Sequence, residues 1–303
     1  MSDIREIRTH MESVRDTEKV TKAMHMIAAT KMRKAKAELE SSRPYFAAVT
    51  TEVKRIFRVE SKIESPYYYP VTGERVLPGA YGYLVITADK GLAGNYNTAV
   101  LKEAEKQMSD HESRLYVMGE YGRRYFTSKG IPFVEDFRFT AANPTLQRAR
   151  VIASRLLRDF RAGKMSKMFV IYTDLKSSVA QQANCFRILP FHRGDVLVDT
   201  EEKAIKKPFI FYPSLEVVLD NMVNSYVAGY IYSAIVDSFC CEQTSRMNAM
   251  EEANSNAEDI LFELRQQYNH ARQGKITKEI TEISSGAKAL ARKNSERERK
   301  ADR

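Results

Sequence analysis

The best candidate for chemistry in this 303-residue chain is Ala88-Asp89-Lys90-Gly91-Leu92-Ala93-Gly94-Asn95, which falls between a strand pattern and a helix pattern. Its glycines could let backbone N–H groups close on a phosphate, or they could simply turn the chain tightly from strand to helix. The spacing G-x-G-x-x-G is not met, which favours the turn. No phosphate loop of the G-x-x-x-x-G-K-[ST] kind exists, because Gly163-Lys164 is followed by Met165. The five histidines (His10, His25, His111, His192, His270) show no metal-ligand spacing. Cys240 and Cys241 are adjacent and so point to different helix faces, and no G-x-S-x-G elbow is present. Three cysteines make no disulfide framework and suit a reducing compartment. These residues call for no catalytic group, metal or cofactor.

Long helices dominate what must carry these residues. Gly (13) and Pro (9) are scarce, which favours uninterrupted helix. Residues 1–58 read as one helix with apolar positions Ile4, Ile7, Met11, Val14, Met24, Ile27, Met32, Ala35, Leu39, Phe46, Val49, Val53 and Ile56. The stripe re-phases between Val14 and Met24, and Pro44 is a candidate kink or break. Towards the C-terminus, steps of 4 and 3 from Met222 run through Tyr226, Gly229, Ser233, Val236, Cys240, Gln243, Met247, Met250, Asn254, Ala257, Leu261, Leu264, Tyr268 and Ala271. No charge falls on this seam, which marks a coiled coil with a left-handed supercoil. A helix over 214–290 would span roughly 110 Å, whereas a compact globule of this length is about 50 Å across. It must therefore project. Pairing it antiparallel with a first helix of about 80 Å leaves part of it without a partner from its own chain.

The middle, about 75–205, reads as α/β. Tyr83–Thr87, Leu115–Met118 and Met168–Tyr172 are buried-strand runs, and helical stretches at 97–110, 121–129 and 144–162 alternate with them. That alternation implies a mainly parallel sheet, with Gln182–Phe191 as a further edge strand. The division is a first helix (1–58), an α/β domain with linkers (59–208), a second long helix (209–290) and a charged tail (291–303). Residues 287–303 carry seven Lys/Arg and three Asp/Glu.

The net charge of +9 points to an acidic partner, an anionic membrane or nucleic acid. Lys31, Arg33, Lys34 and Lys36 are either a solvated face or a contact with such a surface. No aromatics interleave with them, which disfavours single-strand nucleic-acid binding. No apolar run approaches a membrane span, and the charged Met1–Glu6 start lacks the apolar run of a signal peptide. Two other classes compete: a chromosome-organising coiled-coil protein, to be judged by mobility shift, and a nucleotide-binding enzyme with helical arms, to be judged by calorimetry.

Three blocks resemble the gamma subunit of F-type ATP synthases. The first is Val20-Thr21-Lys22-Ala23-Met24-His25-Met26-Ile27-Ala28-Ala29-Thr30-Lys31-Met32-Arg33-Lys34-Ala35, followed by Arg43-Pro44-Tyr45. The second is Thr87-Ala88-Asp89-Lys90-Gly91-Leu92-Ala93-Gly94. The third holds Arg246-Met247-Asn248-Ala249-Met250, Ala271-Arg272-Gln273, Ile276-Thr277-Lys278-Glu279-Ile280-Thr281-Glu282-Ile283 and Ser285-Gly286-Ala287. The resemblance implies an antiparallel coiled coil of the two terminal helices with an inserted Rossmann-like α/β domain. It also implies a non-catalytic rotor shaft that couples ion transport through a membrane ring (the c-ring) to ATP synthesis. The implied partners are a ring of alpha and beta subunits holding the catalytic sites, the epsilon subunit and the c-ring, with no nucleic acid. The implied location is peripheral, on the cytoplasmic face of a bacterial membrane.

By the same resemblance, Arg246, Gln273 and Thr277 contact the catalytic ring, with Arg272 and Glu279 beside them and Lys22 and Met24 at its lower rim. Arg43, Tyr45, Phe209 and Tyr212 lie near the c-ring. The cysteine common in the middle loop of the family is Ala93 here, and the tail runs past the usual family end.

Overall fold

The structure, a computed structural model, describes residues 4–59, 65, 67, 79–109, 111–174, 182–191 and 210–301, with side chains at all but 57–59 and 291–301. Its elements are α1 (Ile4–Val59), β1 (Ala80–Ile86), α2 (Tyr96–Met108), β2 (Ser113–Met118), α3 (Glu120–Ser128), α4 (Leu146–Arg161), β3 (Met165–Thr173), β4 (Ala183–Leu189) and α5 (Leu215–Ala301). They form two compact units, Met26–Ala249 and Met1–His25 with Met250–Arg303. Most of the stretch expected to link α1 to the sheet lies outside the described residues.

In the larger unit the strands run in the order β2-β1-β3-β4. β1 pairs parallel with β2 and β3, and β4 closes the described sheet as an antiparallel edge. Side chains alternate between the two faces. Leu84, Ile86, Tyr116, Met118, Val170 and Ile188 pack on one face with Ile152 and Leu156 of α4 and with Val223, Val227 and Ile231 of α5. Tyr83, Val85, Leu115, Val117 and Ile171 pack on the other, under Val100 and Leu101 of α2 and Phe126 of α3. Each such buried side chain contributes roughly 1.5–3 kcal/mol. α5 is thus a layer of the α/β domain as well as a coiled-coil strand.

Its second partner in this unit is α1, which runs antiparallel to it. Met32 lies against Cys240 and Thr244, whereas Phe46 lies against Tyr232 and Gly229. Gly229 has to be small, since a Cβ there would sit 2.2 Å from Phe46 Cδ1. α1 runs through Pro44 without a break. Glu40, whose carbonyl loses its helical N–H partner at Pro44, is exposed, so water can serve that carbonyl.

Two details of the expected α1 stripe are corrected. The rhythm does not re-phase after Val14: Ile4, Ile7, Met11, Val14, Glu18 and Thr21 are all buried or partly buried, in steps of 3 and 4. Polar residues fill two turns of an unbroken seam. Ile27, counted in the stripe, is 54% exposed, and the inward position is Ala28 at 0%.

In the smaller unit α5 continues the uncharged seam. Met250, Ala257, Leu261 and Leu264 are buried, and Asn254, Tyr268 and Ala271 are partly buried. The backbone stays helical to Ala301. No described helix is long and apolar enough to cross a membrane.

Candidate partner-binding surfaces

In an open α/β sheet a ligand sits at the carboxyl ends of the strands, where the strand order reverses. Here that crevice lies between β1 and β3, beside the loop Asp89–Gly94, and α5 fills it. The Thr173 N–H donates to Ser238 Oγ at 3.3 Å. Cys241 Sγ lies 3.6 Å from the Thr173 carbonyl oxygen. Ala88, Ala93, Tyr96 and Cys241 form a small buried cluster.

The loop itself is already occupied by its own chain. The Ala88 N–H donates to Asn97 Oδ1 at 2.9 Å. Asp89 accepts from the Ala142 N–H at 3.0 Å, from the Glu120 N–H at 3.3 Å and from the Thr140 hydroxyl. Gly94 takes a positive φ of 50° and Leu92 one of 61°. This is a tight strand-to-helix turn held by hydrogen bonds within its own chain.

What α5 brings to the crevice is also unsuited to an anion. Glu242, only 6% exposed, pairs with Arg246 at 2.7 Å, and Arg246 Nη2 donates to the Gly91 carbonyl at 3.1 Å. Burial pushes the Glu242 carboxyl up, against the pull of Arg246. Burial also pushes the Cys241 thiol up to about 12, the Cys240 thiol to about 11 and the Cys185 thiol to about 12. Thiols so raised are not thiolate nucleophiles. Among the described residues no cluster of three His, Cys, Asp or Glu could hold a metal.

The basic run and most of the expected contact residues lie at the surface. Lys31, Arg33, Lys34 and Lys36 are all exposed on α1. Arg43 is exposed and pairs with Glu40 at 3.0 Å. Tyr45 is half-exposed, edge-on to Phe46. Tyr212 is 91% exposed, next to Phe211, which packs with Val53, Ile56 and Leu219. Arg43 and Tyr45 lie about three turns before that end of α1. Phe209 falls outside the described residues.

In the smaller unit Thr21 Oγ1 hydrogen-bonds Asn254 Oδ1 across the seam. Beside it Lys22, itself exposed, bonds Glu18 and reaches Glu258 at 3.7 Å. The Glu18 hydrogen bond is the main cause of a raised Lys22 pKa. Met24 is partly buried.

Beyond Ala271 every described side chain of α5 is exposed. The apolar residues of this stretch keep a 4-3 spacing: Ile276 at 44%, Ile280 at 61%, Ile283 at 73% and Leu290 at 64% exposed. At about 100° per residue they form one stripe, roughly 100° around the helix from the seam that ends at Ala271. Gln273 and Thr277 flank this stripe on one side, and Arg272 and Glu279 on the other. Thr277 donates to the Gln273 carbonyl at 3.0 Å, and Glu279 lies 3.9 Å from Lys275. Four of the expected contact residues thus share one face. Arg246 is elsewhere, turned onto Gly91.

Residue-type reasoning missed Glu242 and the inward places of Glu18 and Thr21, the latter opposite the expected seam residue Asn254. Glu242 stands four residues before Arg246, an ion-pair spacing, and that signal was available.

A family model described as ATP synthase matches residues 3–290. The ATP synthase gamma chain of Acetivibrio thermocellus is 35% identical over 296 residues, covering 96% of this chain and all of the relative. That of Caldanaerobacter subterraneus is 36% identical over 291 residues, covering 93% and 98%. Among solved structures, a chain of the Tetrahymena thermophila mitochondrial ATP synthase central stalk and c-ring aligns with a TM-score of 0.56 at 23% identity. The alignment covers 77% of this chain and 99% of that one. A chain of the Euglena gracilis mitochondrial ATP synthase, in OSCP/F1/c-ring, aligns with a TM-score of 0.64 at 15% identity, covering 95% and 94%. These two likenesses bear on the fold.

Proposed function

This chain belongs to the family of ATP synthase gamma chains, and on that premise we propose how it works as the non-catalytic shaft of a rotary ATP synthase. The reading rests on one observation. α5 outlasts its own pairing, and its last described turns carry an apolar stripe, from Ile276 to Leu290, that is exposed along its length. Leaving such a stripe in water forgoes roughly 25 cal/mol per Å² of apolar surface, so it fits inside another protein's apolar collar. The ring of alpha and beta subunits is the collar that suits it.

Within that ring Gln273 and Thr277 on one flank, and Arg272 and Glu279 on the other, hydrogen-bond and ion-pair with loops of the catalytic subunits. Lys22 and Met24 meet its lower rim. Because the two flanks differ chemically, a rotating shaft presents a different set of groups to each catalytic site in turn. Arg43, Tyr45, Phe209 and Tyr212 serve the other end, near the c-ring, and the epsilon subunit binds the α/β domain. Ion flow through the c-ring turns the shaft, and ATP chemistry stays on the beta subunits. The shaft works peripherally, on the cytoplasmic face of a bacterial membrane. The test is Gln273→Leu in inverted membrane vesicles carrying the whole complex. Coupled ATP synthesis is expected to fall while the thermal melt of the isolated chain stays unchanged. Unaltered synthesis would remove Gln273 from the contact set.

A further inference from the structure

Arg246 lies on the α/β side of α5 with both terminal guanidinium nitrogens engaged. Nη1 holds Glu242 at 2.7 Å, and Nη2 donates to the Gly91 carbonyl at 3.1 Å. The side chains of both charged partners are largely covered, at 12% and 8% exposed. The loop that receives the second bond is tied down at its other end by Asp89, which accepts from Thr140, Ala142 and Glu120. Directly after the clamped Gly91 stands Leu92, a non-glycine residue at φ 61° with 67% of its surface exposed. A left-handed leucine at an open loop tip is strained and persists only where its surroundings fix it. Nothing lies within 4 Å of a Cβ built on Gly91, so side-chain packing at that residue does not do the fixing.

From this geometry we infer that Glu242 is a positioning residue: it aims Arg246 so that the guanidinium clamps Gly91, fixing the Asp89–Gly94 loop to α5 and joining the α/β domain to the shaft as one torsional body. The inference rests on the rotary reading for its role and on the distances for its existence. Arg246 then acts on partners through the loop it holds. Burial raises the Glu242 carboxyl, and Arg246, 2.7 Å away, is the cation that opposes that rise. A buried carboxylate without that partner would be strongly unfavourable.

Trypsin reports on the clamp directly, because Lys90–Gly91 is a tryptic bond whose next carbonyl is the clamped one. Cleavage there requires the loop to leave its turn. The rate of appearance of the fragment beginning at Gly91 is followed by mass spectrometry on the full chain. It is expected to rise about tenfold or more in Arg246→Met and Glu242→Ala, as for the loss of a charge-assisted hydrogen bond. Glu242→Gln keeps an acceptor for Arg246 and should stay near the parent rate.

The double exchange Glu242→Arg with Arg246→Glu separates the clamp from simple helix stabilisation. It restores an i, i+4 ion pair but leaves no donor for Gly91, so cleavage should remain fast. Recovery of the parent rate in the exchange variant would overturn the clamp, as would unchanged cleavage in Arg246→Met.

In the assembled complex, the clamp variants should pump fewer ions per ATP hydrolysed than the parent. Equal pumping by variants whose loops are demonstrably loose would overturn the torsional role. A parent chain that supports no coupled hydrolysis with the catalytic subunits would instead refute the rotary reading and leave the cleavage results standing.

Discussion

α5 is built from one periodic pattern, yet two of its stretches live in opposite environments. Between Leu219 and Met250 nearly every turn buries residues on two sides. Val236, Cys240 and Gln243 lie on the seam, while Val227, Ile231, Ser238 and Cys241 are buried off it. Between Arg272 and Leu290 no side chain is buried on any side. The comparison teaches that a helix's apolar pattern records how many surfaces it must meet and says nothing of which chain supplies them. In the first stretch α1 and the sheet supply both. In the second the described residues supply none, and the stripe from Ile276 to Leu290 is one side of a surface expected elsewhere.

The contrast can be broken most forcefully at Gly229. Gly229→Val would drive a branched side chain into Phe46 and should cost about 3 kcal/mol, the upper range for overpacking, read as a lower midpoint in chemical denaturation. Leu261→Ala, on the seam of the smaller unit, should cost about 2 kcal/mol or somewhat more. Its signature should be faster amide exchange around 254–271 with the sheet still protected, because this seam meets one surface only.

Two buried carboxylates sharpen the comparison further through pH. At Asp159, 1% exposed, burial opposes ionisation, but hydrogen bonds from Tyr116 and Lys164 outweigh it, so the pKa is lowered. Its stabilising contribution is complete above the ordinary carboxylate value of about 3.9 and is lost as pH falls through the folded value. Glu242 is shifted the other way, so its contribution is present below the ordinary value and is lost as pH rises through the raised one. Denaturation midpoints measured against pH should fall less steeply on the acid side in Asp159→Asn, and Glu242→Gln should leave that fall in place.

The smallest effect on folding belongs to the far stretch. Ile280→Gln should leave the isolated chain within about 0.5 kcal/mol of the parent, measured by thermal melt, while lowering ATP synthesis by the assembled complex. A substantial loss of stability in the isolated chain would show that the stripe already has a partner in its own chain.

Much of the fold was legible because it rests on short-range periodicity. The charge-free 4-3 run from Met222 to Ala271 marks the seam, and the runs at Tyr83, Leu115 and Met168 mark strands. The breaks in legibility have specific causes. Glu18 and Thr21 hid two turns of the α1 seam, since a polar side chain can occupy an inward position when Asn254 or Lys22 answers it. Ile27 is the more hydrophobic of two neighbours, yet Ala28 is the one turned inward, at 0% exposed against 54%. The glycine loop read as a turn, and a turn it is, but nothing in its own residues announces Arg246, 155 positions away in the chain.

The order of residues alone determined the elements, the seam, the absence of a nucleotide loop and the family, because each depends on residues within a few turns of one another or on blocks quoted intact. Only the tertiary structure decided that α5 fills the crevice between β1 and β3, that Arg246 turns inward to Gly91 and that pairing stops at Ala271. Those facts depend on which distant surfaces meet, and one helix's periodicity carries the direction of a face but not the identity of what lies against it.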